Sequence, residues 1–278
     1  MRTVTKALIS GAALTLALTG CVAGESTSPS GDGDSLKIGI KFDQPGLGQK
    51  IGDEYSGFDV DVAKYVADKM GVAPENITWV ETPSGNRENA IQGGQVDMIV
   101  ATYSITDARR TQVDFGGPYF IAGQDLLVRA DNTDITGPES LNGKKVCSVQ
   151  GSTSAQKIKD SYAQGAELQN YDTYSKCAEA LASGTIDVMT TDDVILAGYA
   201  AQPAYEGKFR LVGNPFTEER YGIGIRKNDP ELCSQVNEAI QSMIDDGSWQ
   251  KAIDDNLGSA NFTPNPALNP PTPGGSCG

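Results

Sequence analysis

Two stretches of the chain share one grammar, IQGGQVDMIVATYS at Ile91–Ser104 and LASGTIDVMTTDD at Leu181–Asp193. Each closes a helix-patterned segment with glycine, runs through an apolar strand, and spills hydroxyls or carboxylates just past its end. An apolar run bounded by turn residues reads as a strand buried on both faces, and such strands belong to sheets covered by helices. In open α/β sheets, ligands sit beyond the carboxyl ends of the strands. Two copies of the pattern predict two α/β lobes, and lobes that face one another would line one cleft with both polar ends.

The rest of the chain extends this alternation. LKIGIKF (Leu36–Phe42) and ITWVET (Ile77–Thr82) read as strands, and FDVDVAKYVADKMG (Phe58–Gly71) as an amphipathic helix with Gly71 in a C-cap position. Arg87–Gln92 forms a short helix ended by Gly93 and Gly94, followed by the strand VDMIVAT. A second run starts at KKVCSVQ (Lys144–Gln150). It continues with a helix from Ser154 to about Tyr162, the strand LQNYD, a helix over Ser175–Ala182 and the strand TIDVMTTD. YGIGIRK (Tyr221–Lys227) returns to a strand, and Pro230–Asp246 forms a helix. Such alternation predicts parallel or mixed sheets covered on both faces.

At 278 residues the chain exceeds the usual size of one domain. Its 36 acidic against 22 basic residues give a net charge of -14, which argues against nucleic acid and anionic membrane surfaces as partners. Any anionic ligand must find a local positive site. The sequence contains no histidine, which removes Ser-His and Cys-His nucleophile pairs and imidazole-dependent zinc sites. No cofactor or metal is expected.

Residues 1–20 have the layout of a signal peptide: basic Arg2 and Lys6, an apolar run Ala7–Leu18 too short to span a membrane comfortably, and small residues before Cys21. LTGC at Leu18–Cys21 resembles the lipobox of bacterial lipoproteins, whose cleavage leaves the cysteine as a diacylated, palmitate-bearing N-terminus; the alternative is an ordinary secretion signal with a chance cysteine. Cleavage there would leave 20 basic residues against 36 acids, about -16. Residues 21–35, rich in Gly, Ser and Asp, read as a flexible tether. The Pro-rich tail 261–278 cannot form a helix or a central strand. Four cysteines remain in the exported chain, and in an oxidising compartment they imply two disulfides. Three pairings are open; Cys147 with Cys177, inside one lobe, and Cys233 with Cys277, tying down the tail, are expected.

Arg109 and Arg110 follow the hydroxyls of Thr102, Ser104 and Thr106. A guanidinium beside hydroxyl and backbone donors suits a carboxylate, because its fork engages both oxygens. The local pattern is equally that of a solvated helix start capped by Thr106. Asp192, beside Asp193 after VMTT, is a candidate acid–base group or a helix N-cap. QGSTSAQ (Gln150–Gln156) offers helix-start amides to an anion but lacks the lysine of a P-loop. Lys41 and Arg87 are basic residues near strand ends and gain meaning only if they share the cleft.

In order and spacing, GFDVDVAKYVADKMG, GGQVDMIVATYSITDARRTQVDFGGPY, VCSVQGSTSAQKI and GTIDVMTTDDVILAGY resemble the family 3 solute-binding proteins, the polar amino-acid receptors of bacterial ABC importers. The resemblance covers Leu36–Gly258. KFDQPGLG, YDTYSKC and YGIGIRK are most similar to actinobacterial glutamate-binding lipoproteins. It implies a type II periplasmic-binding-protein-like α/β fold, with lobe 1 over 36–126 and 214–260, lobe 2 over 127–213, and two hinge strands between them.

By the same resemblance the carboxylate-binding arginine falls on Arg109, with contacts from Thr102 and Ser104. The second lobe's loop contact falls on Thr153, with Ser152 as a lesser candidate, and the ammonium-receiving acid on Asp192. Lys41 stands where receptors for cationic amino acids tend to carry an acid, and Arg87 matches a basic residue of receptors for acidic ones. Three cations against one anion, about +2, fit glutamate or aspartate better than arginine or histidine. Where many members carry a stacking aromatic, this chain reads DQPG, leaving Tyr174 and Tyr103 as substitutes.

The implied function is an extracytoplasmic, lipid-anchored, monomeric receptor at the outer face of the cytoplasmic membrane. It would close on glutamate, or on aspartate or glutamine, and deliver it to ABC permease subunits. An enzyme on the same fold, a cyclohexadienyl (prephenate or arogenate) dehydratase, is the alternative; it needs a placed general acid. A sensory receptor domain is a third reading and would need a partner to signal.

Overall fold

Residues 35–274 and residue 277 are described by a computed structural model. The expected signal peptide, Cys21 and the tether up to residue 34 lie outside the described residues. The chain begins with β1 (Leu36–Ile40) and a small antiparallel sheet of β2 (Asp43–Gln44), β3 (Gly48–Ile51) and β4 (Glu54–Ser56). Helix α1 (Phe58–Lys69), β5 (Ile77–Glu81), α2 (Arg87–Gln92), β6 (Met98–Ile99), α3 (Asp107–Arg110) and β7 (Asp114–Ala122) follow. Helix α1 forms because Phe58, Val62 and Val66 recur at helical spacing and are all buried. It ends in a Schellman closure at Gly71 (φ 81°). There the Val72 N–H donates to the Ala67 carbonyl and the Gly71 N–H to that of Asp68, both at 2.9 Å.

The second α/β run comprises β8 (Gln124–Arg129), β9 (Lys145–Val149), α4 (Thr153–Lys157), β10 (Glu167–Tyr171), α5 (Tyr174–Ala182), β11 (Val188–Asp192), α6 (Asp193–Ala200) and β12 (Phe209–Leu211). The chain then returns through β13 (Glu219–Ile225) and ends its regular structure in α7 (Pro230–Asp245) and α8 (Ser248–Leu257). Hydrogen bonding sorts the long strands into two five-stranded sheets, ordered β5-β1-β6-β13-β7 and β10-β9-β11-β8-β12. In the first, β5, β1 and β6 are parallel and β13 runs antiparallel to both β6 and β7. In the second, β10, β9 and β11 are parallel and β8 is antiparallel to β11 and β12.

The chain crosses between sheets twice, at Gly123 between β7 and β8, and over residues 212–218 between β12 and β13. The first crossing precedes the expected 126/127 boundary, so Gln124–Leu126 belong to the second sheet. In FIAGQDLLV the only break between two buried apolar runs is Gly123, Gln124 and Asp125, too short to announce a change of sheet. The VDMIVAT strand is also shorter than expected. Its ladder is confined to Met98–Ile99, and Thr102 turns to φ 45°, lifting the chain out of the sheet. The helix expected to reach Tyr162 is α-helical only to Lys157 and widens into a π-helical turn over Ile158–Tyr162.

In the first lobe Phe58 meets Phe120 and Trp249 edge-on, with ring centroids 5.6 and 5.9 Å apart, and the Trp249 indole N–H donates to the Tyr119 carbonyl at 2.8 Å. The second lobe has its own apolar cluster, in which Leu126, Val128, Val146, Ile158 and Val188 are fully buried. Both expected disulfides are present. Cys147 on β9 is bonded to Cys177 on α5, and Cys233 on α7 to Cys277. The tail runs without helix or strand along β7. The Asn269 side chain accepts from the Ile121 N–H (2.9 Å) and donates to its carbonyl (2.8 Å), and the Gly274 N–H donates to the Gly117 carbonyl.

Candidate functional site

The strand ends of the two sheets meet at one cleft. A small pocket there is lined from the first lobe by Ser84, Arg87, Thr102, Ser104 and Arg109, and from the second by Ser152, Thr153, Ser154, Tyr174, Thr191 and Asp192. Six of the seven candidate residues therefore share one chamber. The seventh, Lys41, lines a small neighbouring cavity and reaches the first through a 2.8 Å hydrogen bond from Nζ to Ser84 Oγ. The lobes are in contact across the cleft: Arg109 Nη2 donates to the Gly151 carbonyl at 2.9 Å, and a Cβ built on Gly151 would lie 2.6 Å from Gly85 Cα.

Arg109 sits in α3, and Thr106 caps that helix as its sequence suggests, its Oγ1 accepting the Arg109 N–H at 3.2 Å. The side chain is nonetheless buried, because the short helix turns it inward over the Tyr103 ring, 5.0 Å from the centroid. Its Nη1 donates to the Ser104 carbonyl (2.7 Å) and its Nε pairs with Glu88 (3.3 Å). A guanidinium has five N–H bonds. Three are engaged here, leaving one on each Nη, the geometry of a bidentate carboxylate grip. Arg110 is half-buried and lines neither cavity.

Arg87 lies over the same Tyr103 ring at 4.2 Å and donates through Nη1 to the carbonyls of Ala101 (2.9 Å) and Thr102 (3.3 Å). Its Nε is buried with no hydrogen-bond partner among the described residues. Burial, and next the Arg109 charge, push its pKa down to about 10. Burial and then the Arg87 charge likewise hold the Lys41 ammonium well below the ordinary lysine value. Three cations are thus packed where water is excluded. Such an arrangement costs free energy until an anion joins it.

The opposite wall is acidic. Asp192 occupies the N-cap position of α6 but its carboxylate does not cap the helix; Oδ2 accepts the Tyr221 hydroxyl at 2.5 Å. Its Oδ1 is buried without a partner among the described residues, and burial, then the neighbouring Glu219, raise its pKa well above the usual carboxylate range. Thr153 donates to Glu219 Oε2 at 3.1 Å. Asp193 faces elsewhere, accepting the N–H groups of Gly123 and Val194 with one carboxylate oxygen. Ser152 caps α4 at the Ala155 N–H. Tyr174 joins both cavity walls and accepts from Thr191 Oγ1 at 2.7 Å, whereas Tyr103 is a floor beneath the two guanidinia.

Several residues of the site carry no signal in the sequence. Glu88 accepts from the Tyr103 hydroxyl (2.7 Å) besides pairing with Arg109; on α2 it reads as an ordinary helix acid. Asp59 reads as a first-turn acid complementing the helix dipole. It is instead fully buried, accepting the Thr102 N–H (3.0 Å) and the Tyr119 hydroxyl (2.7 Å), with burial raising its pKa to about 6. With Glu219, these acids reduce the simple excess of two positive charges. Among the described residues no group of three or more Cys, Asp or Glu is placed to hold a metal ion, and no helix is long and apolar enough to cross a membrane.

Two sheets with crossover helices, joined by two crossings and enclosing a polar cleft at their strand ends, define a two-lobed type II binding protein. The family model for bacterial extracellular solute-binding proteins, family 3, matches residues 36–259, and the chain belongs to that family. The chain is 49% identical over 257 residues to the glutamate-binding protein GluB of Corynebacterium glutamicum, covering 87% of this chain and 85% of that protein. It is 36% identical over 223 residues to the ABC transporter glutamine-binding protein GlnH of Bacillus subtilis, covering 79% and 80%. Among solved structures it is similar to an ancestral arginine-binding protein bound to glutamine, with a TM-score of 0.74 and 34% identity over 81% of this chain and 98% of that one.

Proposed function

We propose that this protein is the receptor of an ABC importer for glutamate, or for a closely related acidic or polar amino acid such as aspartate or glutamine. The observation that carries the reading is the pair of orphaned buried atoms on opposite lobes, Arg87 Nε and Asp192 Oδ1. Arg109 grips the α-carboxylate with support from Thr102 and Ser104, Asp192 and Thr153 receive the ammonium end, and Arg87 with Lys41 takes the side-chain carboxylate. Each charge-assisted contact contributes about 1.5–3 kcal/mol net. Micromolar binding needs about 8 kcal/mol, so four or five such contacts suffice after ordering costs. Closure of the second lobe on the first is the transport signal.

The chain acts as a monomer tethered by lipid on Cys21 at the outer face of the cytoplasmic membrane, and hands its solute to permease subunits. Three buried cations around the cleft favour retention of a solute over turnover, which sets the dehydratase alternative aside. Calorimetric titration of the twenty amino acids into the soluble domain tests the reading. Glutamate is expected to bind and arginine not to; selective arginine binding, or steady consumption of prephenate, would overturn it.

A further inference from the structure

The segment Asp43–Pro45 reaches from the first lobe onto two helices of the second. Asp43 Oδ2 accepts the N–H of Ser175, in the first turn of α5, at 3.1 Å. The Tyr199 hydroxyl of α6 is shared between the Asp43 carbonyl and that same Oδ2, the latter at 3.1 Å. A carboxylate at a helix start also gains from the aligned peptide dipoles. The Pro45 carbonyl fits α6 where it carries Gly198: a Cβ there would lie 2.2 Å from that oxygen.

None of these residues lines the chamber that holds Arg87, Arg109 and Asp192, and Asp43 borders the neighbouring cavity of Lys41. The same segment is nonetheless joined to the chamber floor. Buried Gln44 accepts from Thr102 Oγ1 at 3.2 Å, and Lys41, two residues before Asp43, donates to Ser84. Docking of α5 and α6 on this segment therefore accompanies the closed arrangement of the cleft through contacts between the lobes themselves. A contact present in the closed form alone lowers the differential binding a solute must supply to keep the lobes shut.

We propose that Asp43 is a positioning residue for solute retention: with Ser175, Tyr199 and Gly198 it forms a latch that holds the closed lobes together by contacts between the lobes themselves. The inference rests on the reading that the lobes close on a solute. Because the latch forms after encounter, its loss acts on dissociation and leaves association unchanged. In Asp43→Ala the glutamate off-rate is expected to rise roughly tenfold or more, the worth of one charge-assisted hydrogen bond, at constant on-rate. Tyr199→Phe, which keeps the ring, gives a smaller rise.

Gly198→Ala separates the latch from a folding defect. Alanine is the better helix former, so α6 stays intact while its methyl meets Pro45, and the off-rate rises with no loss of thermal stability. Stopped-flow binding, with a fluorophore pair carrying one dye on each lobe, measures the rates and the closed fraction with and without glutamate. Unchanged off-rates and closed fractions in Asp43→Ala and Gly198→Ala would overturn the latch. If no amino acid binds the unaltered protein, the solute reading fails alone, and the closed fraction without solute still decides the latch: a fall in both variants supports it, no change refutes it.

Discussion

Replacing Arg87 with glutamine separates what this residue costs the free protein from what it contributes to binding. Burial and the adjacent Arg109 lower its pKa from the ordinary arginine value to about 10. At about 1.4 kcal/mol per pKa unit, holding the cation costs the folded protein about 3 kcal/mol at neutral pH. Because the folded-state value is depressed, this cost is fully present below pH 10 and is released only as pH rises from 10 towards the ordinary arginine value. Arg87→Gln removes the cost and also the donors to Ala101 and Thr102. The two effects are of similar size, so the free variant should lie within about 2 kcal/mol of the unaltered protein, where deleting one partner of a buried ion pair ordinarily costs about 3–5 kcal/mol. Glutamate loses a charge-assisted contact of about 2 kcal/mol, raising Kd about 30-fold. At a solute concentration 100 times the original Kd, its stabilisation falls from about 2.7 to about 0.9 kcal/mol. Glutamine, carrying an amide in that position, should lose less than about threefold in affinity. Urea unfolding with and without each amino acid, alongside calorimetry, gives all four quantities. Equal loss of glutamate and glutamine affinity would refute the side-chain assignment.

Arg109→Lys keeps the charge but removes the fork, so binding of every amino acid should fall about 100-fold or more by calorimetry; a loss confined to acidic ligands would move the α-carboxylate elsewhere. The free protein should become more stable on acidification from pH 7 to 5. Asp59 and Asp193 both have folded-state pKa values raised to about 6 from 3.8, so the folded form takes up protons first and each returns about 1 kcal/mol over that interval. Thermal melts across the range check the sign, and Asp59→Asn should flatten the slope.

The two-lobed α/β plan was legible because paired strand-and-spill segments repeat in both halves, a local pattern set by burial of strands on two faces. The cation positions were legible too, though their burial was not: TDARRTQ is a proper capped helix start, and only the packing of Tyr103 beneath it turns Arg109 inward. Asp59, Glu88 and Asp43 escaped because each is an unremarkable acid in its own segment. Glu88 meets Tyr103 and Arg109 on other elements of its own lobe, the Asp59 partner Tyr119 lies 60 residues away, and those of Asp43 lie across the cleft at Ser175 and Tyr199. The switch of sheets at Gly123 escaped because apolar runs buried in both lobes flank it, and the short break of Gly123, Gln124 and Asp125 does not say which sheet follows.

The strap of tail along β7 has a meaning beyond tethering the C-terminus. β7 is the outermost strand of its sheet, and an outermost strand with free N–H and C=O groups is a template on which a second chain can add. The Asn269 amide satisfies both groups of Ile121, standing in for a neighbouring strand without continuing the ladder, and Gly274 occupies the Gly117 carbonyl. Pro270, Pro271 and Pro273, lacking amide hydrogens, cannot pass the pairing outward. Bolted to α7 through Cys277, the tail closes off this margin of the first lobe to sheet-to-sheet aggregation.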